Sequence, residues 1–393
     1  MIRIFFKTIW NNRRRNILIF IELFIVSLVL VNVTNYLVNM VSIGRIKNCY
    51  DTQNVVLLSL YNKTIETDSI TEQSFNKLAL KFSSHPSIES ISLSSMATPY
   101  TYNLSSSTFK HDSDQISMAL RMVDINYAKV LKIIPLKGRW FNDTDIGKLI
   151  CPILISWDIE DKYFKGNAIG KRIIQGSNEY EIIGVVDHFK RSDIEKPYSS
   201  AFIFQGKPKQ DYWGKDLLIR TKEGKTRDIL AVAESYVYST LDTQVWVISS
   251  LNSLENMREK QNDESVQRNF LSLIIAFFIM LNVLLGVTGI LWYNTNLRIH
   301  EIGIKRSLGA TSNNISRLLL AENMLLAGIG LIIVILIFVQ LPTLLNGGEI
   351  EPGVFIKTIW ISISIMIFLV LLSTWIPASL ASKIHPATAL KTE

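Results

Sequence analysis

The sequence contains little cysteine, little proline and little charge. Two cysteines, 10 prolines and 19 glycines among 393 residues exclude a disulfide scaffold, a collagen-like repeat and a wholly disordered chain. Charged residues make up 19% of the chain and hydrophobic residues 48%, with a mean hydropathy of +0.24. This is too apolar for an ordinary soluble protein and too charged for membrane helices alone, so both lipid and water are expected around it. Cys49 and Cys151 could pair in an oxidising compartment or remain free thiols.

Motifs for catalysis, metal binding and nucleotide binding are also absent. The five histidines have no paired spacing, and no G-x-S-x-G turn occurs. The glycine-containing run at 166–172 lacks both the spacing and the Ser or Thr of a phosphate loop. We therefore predict a non-catalytic chain with no cofactor, no metal ligand and no nucleic-acid partner.

Four apolar runs are long enough to cross a bilayer core, which takes roughly 20 residues. The predicted spans are residues 17–43, 268–293, 318–341 and 358–378. Residues 1–16 contain five basic residues and no acid, and residues 294–317 contain four basic residues against one glutamate. The excess of positive charge predicts that both segments are cytoplasmic.

The number of spans then fixes the side on which the other segments lie. The tail 379–393 is predicted to be cytoplasmic, the short loop 342–357 to face outward, and residues 44–267 to form a large extracytoplasmic domain. Residues 1–16 also place apolar side chains on one helical face, which is compatible with a helix in the lipid headgroup layer or merely with a basic flank. The predicted fold is an integral membrane protein with four transmembrane helices and one large outer domain.

The predicted outer domain is mixed α+β. Apolar residues at helical spacing predict helices over Thr71–Ser84 and Thr226–Leu241. Short β-branched or alternating runs predict strands at 55–60, 88–93, 117–123, 153–156, 180–186, 201–204, 216–221 and 244–248. Residues 250–268 contain neither glycine nor proline, which predicts a helical stalk continuous with the second span.

Two carboxylates lie inside predicted spans, where ionisable groups are functional candidates. Glu22 and Glu322 each lie about one turn from the cytoplasmic end of their span. They could reach the interface, pair with the arginines at 13–15 or with Arg317, or make a functional contact between helices. Three asparagines lie deeper and are predicted to form interhelical hydrogen bonds: Asn32, Asn35 and Asn282.

Several segments resemble a known family of ABC transporter permeases. His300–Gly328 (HEIGIKRSLGATSNNISRLLLAENMLLAG) resembles the signature of the FtsX-like permease domain, and Ile376–Glu393 resembles the end of that domain. Leu136–Asp145 and Asn167–Val186 are similar to the G-R-x-F turn and to the paired strands of the MacB periplasmic core domain. The resemblance extends along the chain and is weakest over residues 44–130.

The resemblance implies a role and a set of partners. The loop 294–317 is expected to dock on an ABC ATPase that binds ATP and magnesium; because only sixteen residues precede the first span, that ATPase is expected on a separate subunit. The expected coupling residues are Glu301, Ile302, Gly303, Lys305, Arg306, Gly309 and Ala310. A second permease, identical or related, completes the expected complex in a bacterial cytoplasmic (inner) membrane, together with membrane lipid and possible adaptor and outer-membrane duct proteins.

Two functions agree with this family. The first is a mechanotransmission machine that exports a drug, peptide or lipoprotein from the periplasm, which the size of the outer domain favours. The second is an FtsX-type permease that regulates a cell-wall hydrolase or senses a ligand. The sequence does not identify the cargo or distinguish a homodimer from a heterodimer.

Overall fold

The computed structural model of the chain describes residues 13–63, 69–204, 214–344 and 351–382. Most of the predicted amphipathic segment 1–16 and of the tail 379–393 lies outside the described residues, as does part of the loop 342–357. The chain divides into two compact units, one formed by Met1–Ser42 with Gln267–Glu393 and the other by Ile43–Val266.

The outer unit contains both helices and strands, whereas the membrane unit is helical throughout its described part. The helices are α1 (Arg13–Arg45), α2 (Ser69–Ser83), α3 (Tyr127–Leu131), α4 (Trp157–Phe164), α5 (Thr226–Tyr238), α6 (Leu254–Leu297), α7 (Ile299–Ser307), α8 (Ser312–Leu344) and α9 (Pro352–Ser382). The strands are β1 (Val55–Asn62), β2 (Ile88–Ser95), β3 (Ser105–His111), β4 (Asp114–Val123), β5 (Lys137–Gly138), β6 (Cys151–Ser156), β7 (Arg172–Gln175), β8 (Asn178–Val186), β9 (Ser200–Phe204), β10 (Gly214–Thr221) and β11 (Trp246–Ser253).

The first lobe of the outer unit is a split βαβ sheet. Its strand order is β11-β1-β10-β2, all neighbours are antiparallel, and α2 and α5 connect the strands. Side chains alternate along β1, so that Val56 and Leu58 pack beneath the two helices while Val55 and Leu57 enter a core on the other face. The lobe therefore has one helical layer and one face that packs on the rest of the unit.

The second lobe is a small closed β-barrel inserted between β2 and β10. β4 pairs with β3 and β9, β9 with β6, β6 with β8, β8 with β7, and β7 returns to β3 through Lys110 and Ile174. The interior is filled by apolar side chains such as Phe109, Ile155 and Ile182. Closure pairs these strands on both sides and so removes exposed sheet edges.

Gly184 allows a tight crossing in the barrel. It pairs with Gly138 of β5, and a Cβ added at Gly184 would lie 2.6 Å from the carbonyl oxygen of Arg139 and 2.8 Å from Leu154 Cδ2. Only glycine fits such an approach without displacing backbone.

Within the described residues, four helices are long and apolar enough to span a membrane, which together with the α+β unit between the first two confirms the predicted fold class. The candidate spans run over Ile19–Arg45, Leu254–Gly289, Ser312–Gln340 and Pro352–Trp375. α6 continues unbroken for 44 residues, which corresponds to about 66 Å. It is therefore about twice as long as the bilayer core is thick.

The outer domain contains elements that the sequence patterns did not predict. Residues 250–253, predicted as helix, end β11 instead, because they pair with β1; the helix begins at Leu254. β3, β5, α3 and α4 were not predicted. β3 reads SSSTFKH and lacks apolar alternation, so its strand state depends on pairing with β4.

Candidate functional site

The coupling segment is a short helix with a defined stop. α7 ends at Ser307, and Gly309, which follows the C-cap residue Leu308, has φ +96°. The Ala310 N–H donates to the Lys305 carbonyl at 3.0 Å and the Gly309 N–H to the Arg306 carbonyl at 3.0 Å, which is the Schellman pattern with glycine at the left-handed position. The Thr311 hydroxyl then accepts from the Asn314 N–H at 3.3 Å and starts α8.

Two of the predicted coupling residues hold the segment on α8. Ile302 is 5% exposed and packs with Ile315, Leu319 and Ala310 in one apolar cluster. Gly303 is buried beside it. Ile302 therefore positions the segment, and neither of these two buried residues is available to a partner.

The outward face of α7 combines apolar and basic side chains. Lys305 and Glu301 are exposed and Arg306 is half-buried. Ile304 and Leu308, which the sequence analysis did not single out, are 41% and 82% exposed. The segment therefore presents two apolar side chains flanked by charge, a composition suited to a protein partner.

A buried ion pair ties the start of α7 to α8. Both guanidinium Nη atoms of Arg298 bind the carboxylate of Glu322, and Arg298 Nε lies 3.5 Å from Glu301 Oε2. The side chains of Arg298 and Glu322 are 10% and 8% exposed. Burial alone would lower the pKa of Arg298, but the two carboxylates raise it above its ordinary value. Of the alternatives that the sequence left open for Glu322, pairing with Arg317 is not the one formed: its partner is Arg298, because the bend before α7 brings Arg298 onto α8.

The other membrane carboxylate lies against the second span. The Glu22 carboxylate occupies the space where a side chain at Gly286 would be. Its Oε2 atom is buried and receives no hydrogen bond from the described residues. Glycine at position 286 is what allows Glu22 to lie this close to α6.

A second polar cluster, absent from the predicted sites, lies where the outer unit meets its two chain connections. We call it the neck; its residues are Asn48, Tyr100, Lys190, Asp193, Arg258 and Asn262. Asp193 Oδ1 accepts hydrogen bonds from Asn48 Nδ2 at 3.0 Å and from the Tyr100 hydroxyl at 3.1 Å. Asp193 Oδ2 accepts from Arg258 Nε at 2.7 Å and from Asn262 Nδ2 at 3.3 Å. One carboxylate of the β8–β9 loop thus holds both the segment after α1 and the first turns of α6.

Lys190 of the same loop caps the end of α1. Its side chain is almost fully buried, and Nζ donates to the Ile43 carbonyl at 2.6 Å and to the Asp193 carbonyl at 3.3 Å. Burial lowers the pKa of this ammonium group and the charge of Asp193 raises it, with burial dominant. A cation at a helix C-terminus satisfies free carbonyls and complements the helix dipole.

The charge of Asp193 is favoured by its partners. Burial alone would raise the pKa of its carboxyl group, but the hydrogen bonds and charge of Arg258, together with Asn262 and Tyr100, hold the pKa below its usual value. Asp193 therefore remains ionised near neutral pH.

Neither metal nor thiol chemistry is indicated in the described part of the chain. No group of three or more His, Cys, Asp or Glu side chains suited to a metal ion occurs among the described residues. Cys49 and Cys151 are both free, and burial raises the pKa of the Cys49 thiol to about 12.

Comparisons with known proteins agree with the layout of the chain. The model of the MacB-like periplasmic core domain matches residues 25–233, and that of the FtsX-like permease C-terminal domain matches residues 273–386. The macrolide export ATP-binding/permease protein MacB of Escherichia coli strain K12 is 21% identical over 298 residues, and its counterpart in Shigella flexneri is 21% identical over 300 residues. Each alignment covers 72% of this chain and 45% of the relative, so the chain spans less than half the length of these relatives.

Two solved structures resemble part of the chain. The periplasmic region of MacB from Actinobacillus actinomycetemcomitans gives a TM-score of 0.38 with 12% identity, covering 54% of this chain and 94% of that structure. The extracellular domain of the noncanonic ABC-type transporter YknZ from Gram-positive bacteria gives a TM-score of 0.35 with 14% identity, covering 49% of this chain and 100% of that structure.

Proposed function

The chain belongs to the FtsX-like and MacB-like family of ABC transporter permeases, and from this premise we propose that it couples ATP hydrolysis on a separate ATPase subunit to movement of its extracytoplasmic domain. In this proposal the chain itself performs no chemistry. ATP and magnesium are bound by the partner ATPase.

The observation that supports this proposal most strongly is the continuity of α6. Its first turns, at Arg258 and Asn262, are bound by Asp193, and the same helix continues to Leu297, next to Arg298. In this proposal α6 carries a displacement of the coupling segment to the neck.

The ATPase is proposed to bind the outward face of α7. Lys305 offers positive charge, and Ile304 and Leu308 offer apolar surface that can enter a groove. Ile302 and the Arg298–Glu322 pair hold this face on α8. A load on α7 would thus be passed to the membrane helices.

We propose export of a drug, peptide or lipoprotein from the periplasm as the purpose of this movement. The curated relatives are macrolide exporters by name, and the neck offers a route by which motion of the membrane helices could reach the outer unit. The proposed complex lies in a bacterial inner membrane with both chain termini in the cytoplasm. A second permease, and for export an adaptor and an outer-membrane duct, would complete it.

The direct test is a mild-detergent pull-down of the tagged full chain from its native membranes, followed by mass spectrometry. Recovery of an ABC ATPase supports the proposal, and Lys305→Glu should reduce that recovery at least fivefold with unchanged insertion. Lys357→Glu, which reverses an exposed lysine at the start of α9, is the matched control and should retain the ATPase.

The same experiment separates the two functions of the family. An adaptor or duct recovered with the ATPase supports export, whereas a cell-wall hydrolase in its place would support regulation. Absence of any ATPase while the permeases remain associated would contradict the coupling role.

A further inference from the structure

An open cavity with a mainly polar lining lies beside the neck. Its volume is about 420 Å³, within the range of roughly 300–1,000 Å³ that is usual for small-ligand sites. All the residues that line it belong to the outer unit. Its charged lining residues are the cations Lys47, Lys190 and Arg258 and the carboxylates Asp51 and Asp193. We call this space the neck cavity.

Both carboxylates of the neck cavity already have cationic partners. Asp51 accepts a hydrogen bond from Lys132 Nζ at 2.9 Å, and Arg220 Nη1 lies 3.7 Å from the same carboxylate. Asp193 accepts the four hydrogen bonds that hold the neck, one of them from Arg258. The negative charge of the lining is therefore compensated within the fold.

The three cations, in contrast, retain unused N–H donors. Lys47 is exposed and forms no ion pair with the described residues. Arg258 is bonded through Nε, and its two Nη groups make no hydrogen bond within the described part of the chain. Lys190 uses two of its three N–H donors, both on carbonyl oxygens. The neck cavity thus combines free donors with an excess of positive charge, which suits an anion.

The position of Lys47 in the chain indicates which anion is near. Lys47 follows Arg45, the last residue of the first candidate span, by two residues. Two residues of extended chain cover at most about 7 Å. The headgroup layer on each side of the bilayer core is itself about 5–8 Å thick. The ammonium group of Lys47 is therefore within reach of the phosphate groups of membrane lipids.

The lining also favours one class of lipid headgroup. A headgroup that carries an ammonium group needs a free carboxylate, and neither Asp51 nor Asp193 is free. Gln53 offers instead an exposed side-chain amide with no hydrogen bond to the described residues. An amide can both donate to and accept from a hydroxyl group. These groups fit a phosphodiester with a hydroxylated headgroup and no cation.

We propose that the neck cavity binds the headgroup of an anionic phospholipid such as phosphatidylglycerol. Lys47, Lys190 and Arg258 hold its phosphate, and Gln53 binds a headgroup hydroxyl. This inference goes beyond the proposed function and does not depend on an ATPase partner. A lipid bound in this way ties the loop of Lys190 and Asp193 to the membrane surface.

The test is lipid binding to the full chain, purified in a mild uncharged detergent and followed by native mass spectrometry. The probes are phosphatidylglycerol, phosphatidylethanolamine and phosphatidylcholine with identical acyl chains. The first molecule of phosphatidylglycerol should bind at least fivefold more tightly than either of the others, because it alone lacks an ammonium group. Equal affinities for the three lipids would overturn the inference.

Variants show whether the preference arises in the neck cavity. Lys47→Gln removes one cation at an exposed position and should lower the preference for phosphatidylglycerol at least threefold, whereas Lys47→Arg should retain it. Lys110→Gln is the matched control, because Lys110 is an exposed lysine of the outer unit that does not line the cavity. A preference unchanged in Lys47→Gln would place the lipid elsewhere and refute the proposed site.

A further pair of probes separates a lipid from a soluble phosphate. Glycerophosphoglycerol carries the same headgroup without acyl chains, and inorganic phosphate carries the anion alone. Each should displace phosphatidylglycerol only at concentrations at least tenfold higher than the lipid itself, because neither is held at the membrane surface by acyl chains. If either bound as tightly as the lipid, the neck cavity would be a site for soluble phosphates and the assignment to a membrane lipid would be wrong.

Discussion

Arg258 donates a 2.7 Å hydrogen bond from Nε to the carboxylate of Asp193, so a loop of the barrel holds the helix that enters the second span. The same carboxylate accepts from Asn48, which follows the first span. Both connections between the outer unit and the membrane helices are therefore held at one side chain. A change in their spacing must stretch or release these bonds.

The neck should weaken when Asp193 loses its charge. Asp193→Asn is expected to cost about 1–3 kcal/mol, because hydrogen bonds to a charged group are lost or weakened. Hydrogen exchange should rise over residues 254–266 in the full chain, while Asp161→Asn, at an exposed position, should leave that region unchanged.

The contribution of Asp193 should also depend on pH. Because its folded pKa is held below the usual value, the stabilisation is complete above the unfolded pKa of about 4 and is lost as pH falls through the folded pKa. The difference in melting temperature between wild type and Asp193→Asn should be constant from pH 8 to 5 and shrink below about pH 4. A difference that persisted unchanged at pH 3 would show that the charge is not responsible.

Removing one partner of the Arg298–Glu322 pair should destabilise the chain strongly, whereas replacing both side chains with apolar ones should destabilise it little. Arg298→Leu leaves the buried Glu322 carboxylate without its cation and should cost about 3–5 kcal/mol. Glu322→Leu should cost less, because Arg298 keeps the half-exposed Glu301 as a partner. The double variant should recover most of that loss, because apolar side chains of similar volume avoid the desolvation cost. Thermal unfolding of the full chain in detergent measures all three; additive losses in the double variant would contradict this account.

Gly184 should tolerate no side chain. Gly184→Ala places a Cβ against backbone and against Leu154, and a loss of about 1–3 kcal/mol is expected from overpacking. Gly147 provides the comparison, since it has φ +76° with open space around it, so alanine there costs only the backbone strain of about 1 kcal/mol. Equal melting temperatures for the two variants would argue against the crowded crossing.

The ionised carboxylate of Asp216 should destabilise the fold, whereas that of Asp193 should stabilise it. Burial raises its pKa even though Ser59 and Thr98 donate to it at 2.6 and 2.5 Å, so the ionised form opposes folding. Asp216→Asn should stabilise the chain by on the order of 1 kcal/mol at pH 7, and the new amide could donate to Ser94, which lies opposite.

The sign of the pH dependence checks this explanation for Asp216. With a raised folded pKa, the wild type loses stability as pH rises from the unfolded value of about 4 through the folded pKa. The advantage of Asp216→Asn should therefore vanish below about pH 4. A variant less stable than the wild type at pH 7 would mean that the carboxylate hydrogen bonds outweigh its burial.

The membrane part could be predicted from sequence because its signals are local. Apolar runs identify the spans, and the order Leu308-Gly309-Ala310-Thr311 encodes one helix stop and the next helix start within four residues. The exposed side chains of Ile304 and Leu308 were missed, because which face of α7 packs on α8 depends on a tertiary contact through Ile302.

The neck could not be predicted because its signals are not local. Asp193 lies 65 residues from Arg258 and 145 residues from Asn48. The sequence around Asp193 does not distinguish this residue from aspartates in other charged loops. The serine-rich β3 was missed for a related reason, since its pairing with β4 supplies the order that its composition does not.

The insertion of the barrel into the split βαβ sheet has a consequence for how such proteins can diversify. The insertion leaves and re-enters the sheet on neighbouring strands, where Ser94 of β2 lies opposite Asp216 of β10. Its ends therefore meet, so another folded module could be grafted there without disturbing the surrounding sheet. Asp193 and Lys190 belong to the inserted segment, however. A grafted module would therefore also have to supply side chains that bind the end of α1 and the first turns of α6. Chimaeras in which the barrel is exchanged and this loop is not retained should fold but should no longer transmit motion. The loop that carries Lys190 and Asp193 is therefore the part of the barrel that must be kept in any exchange.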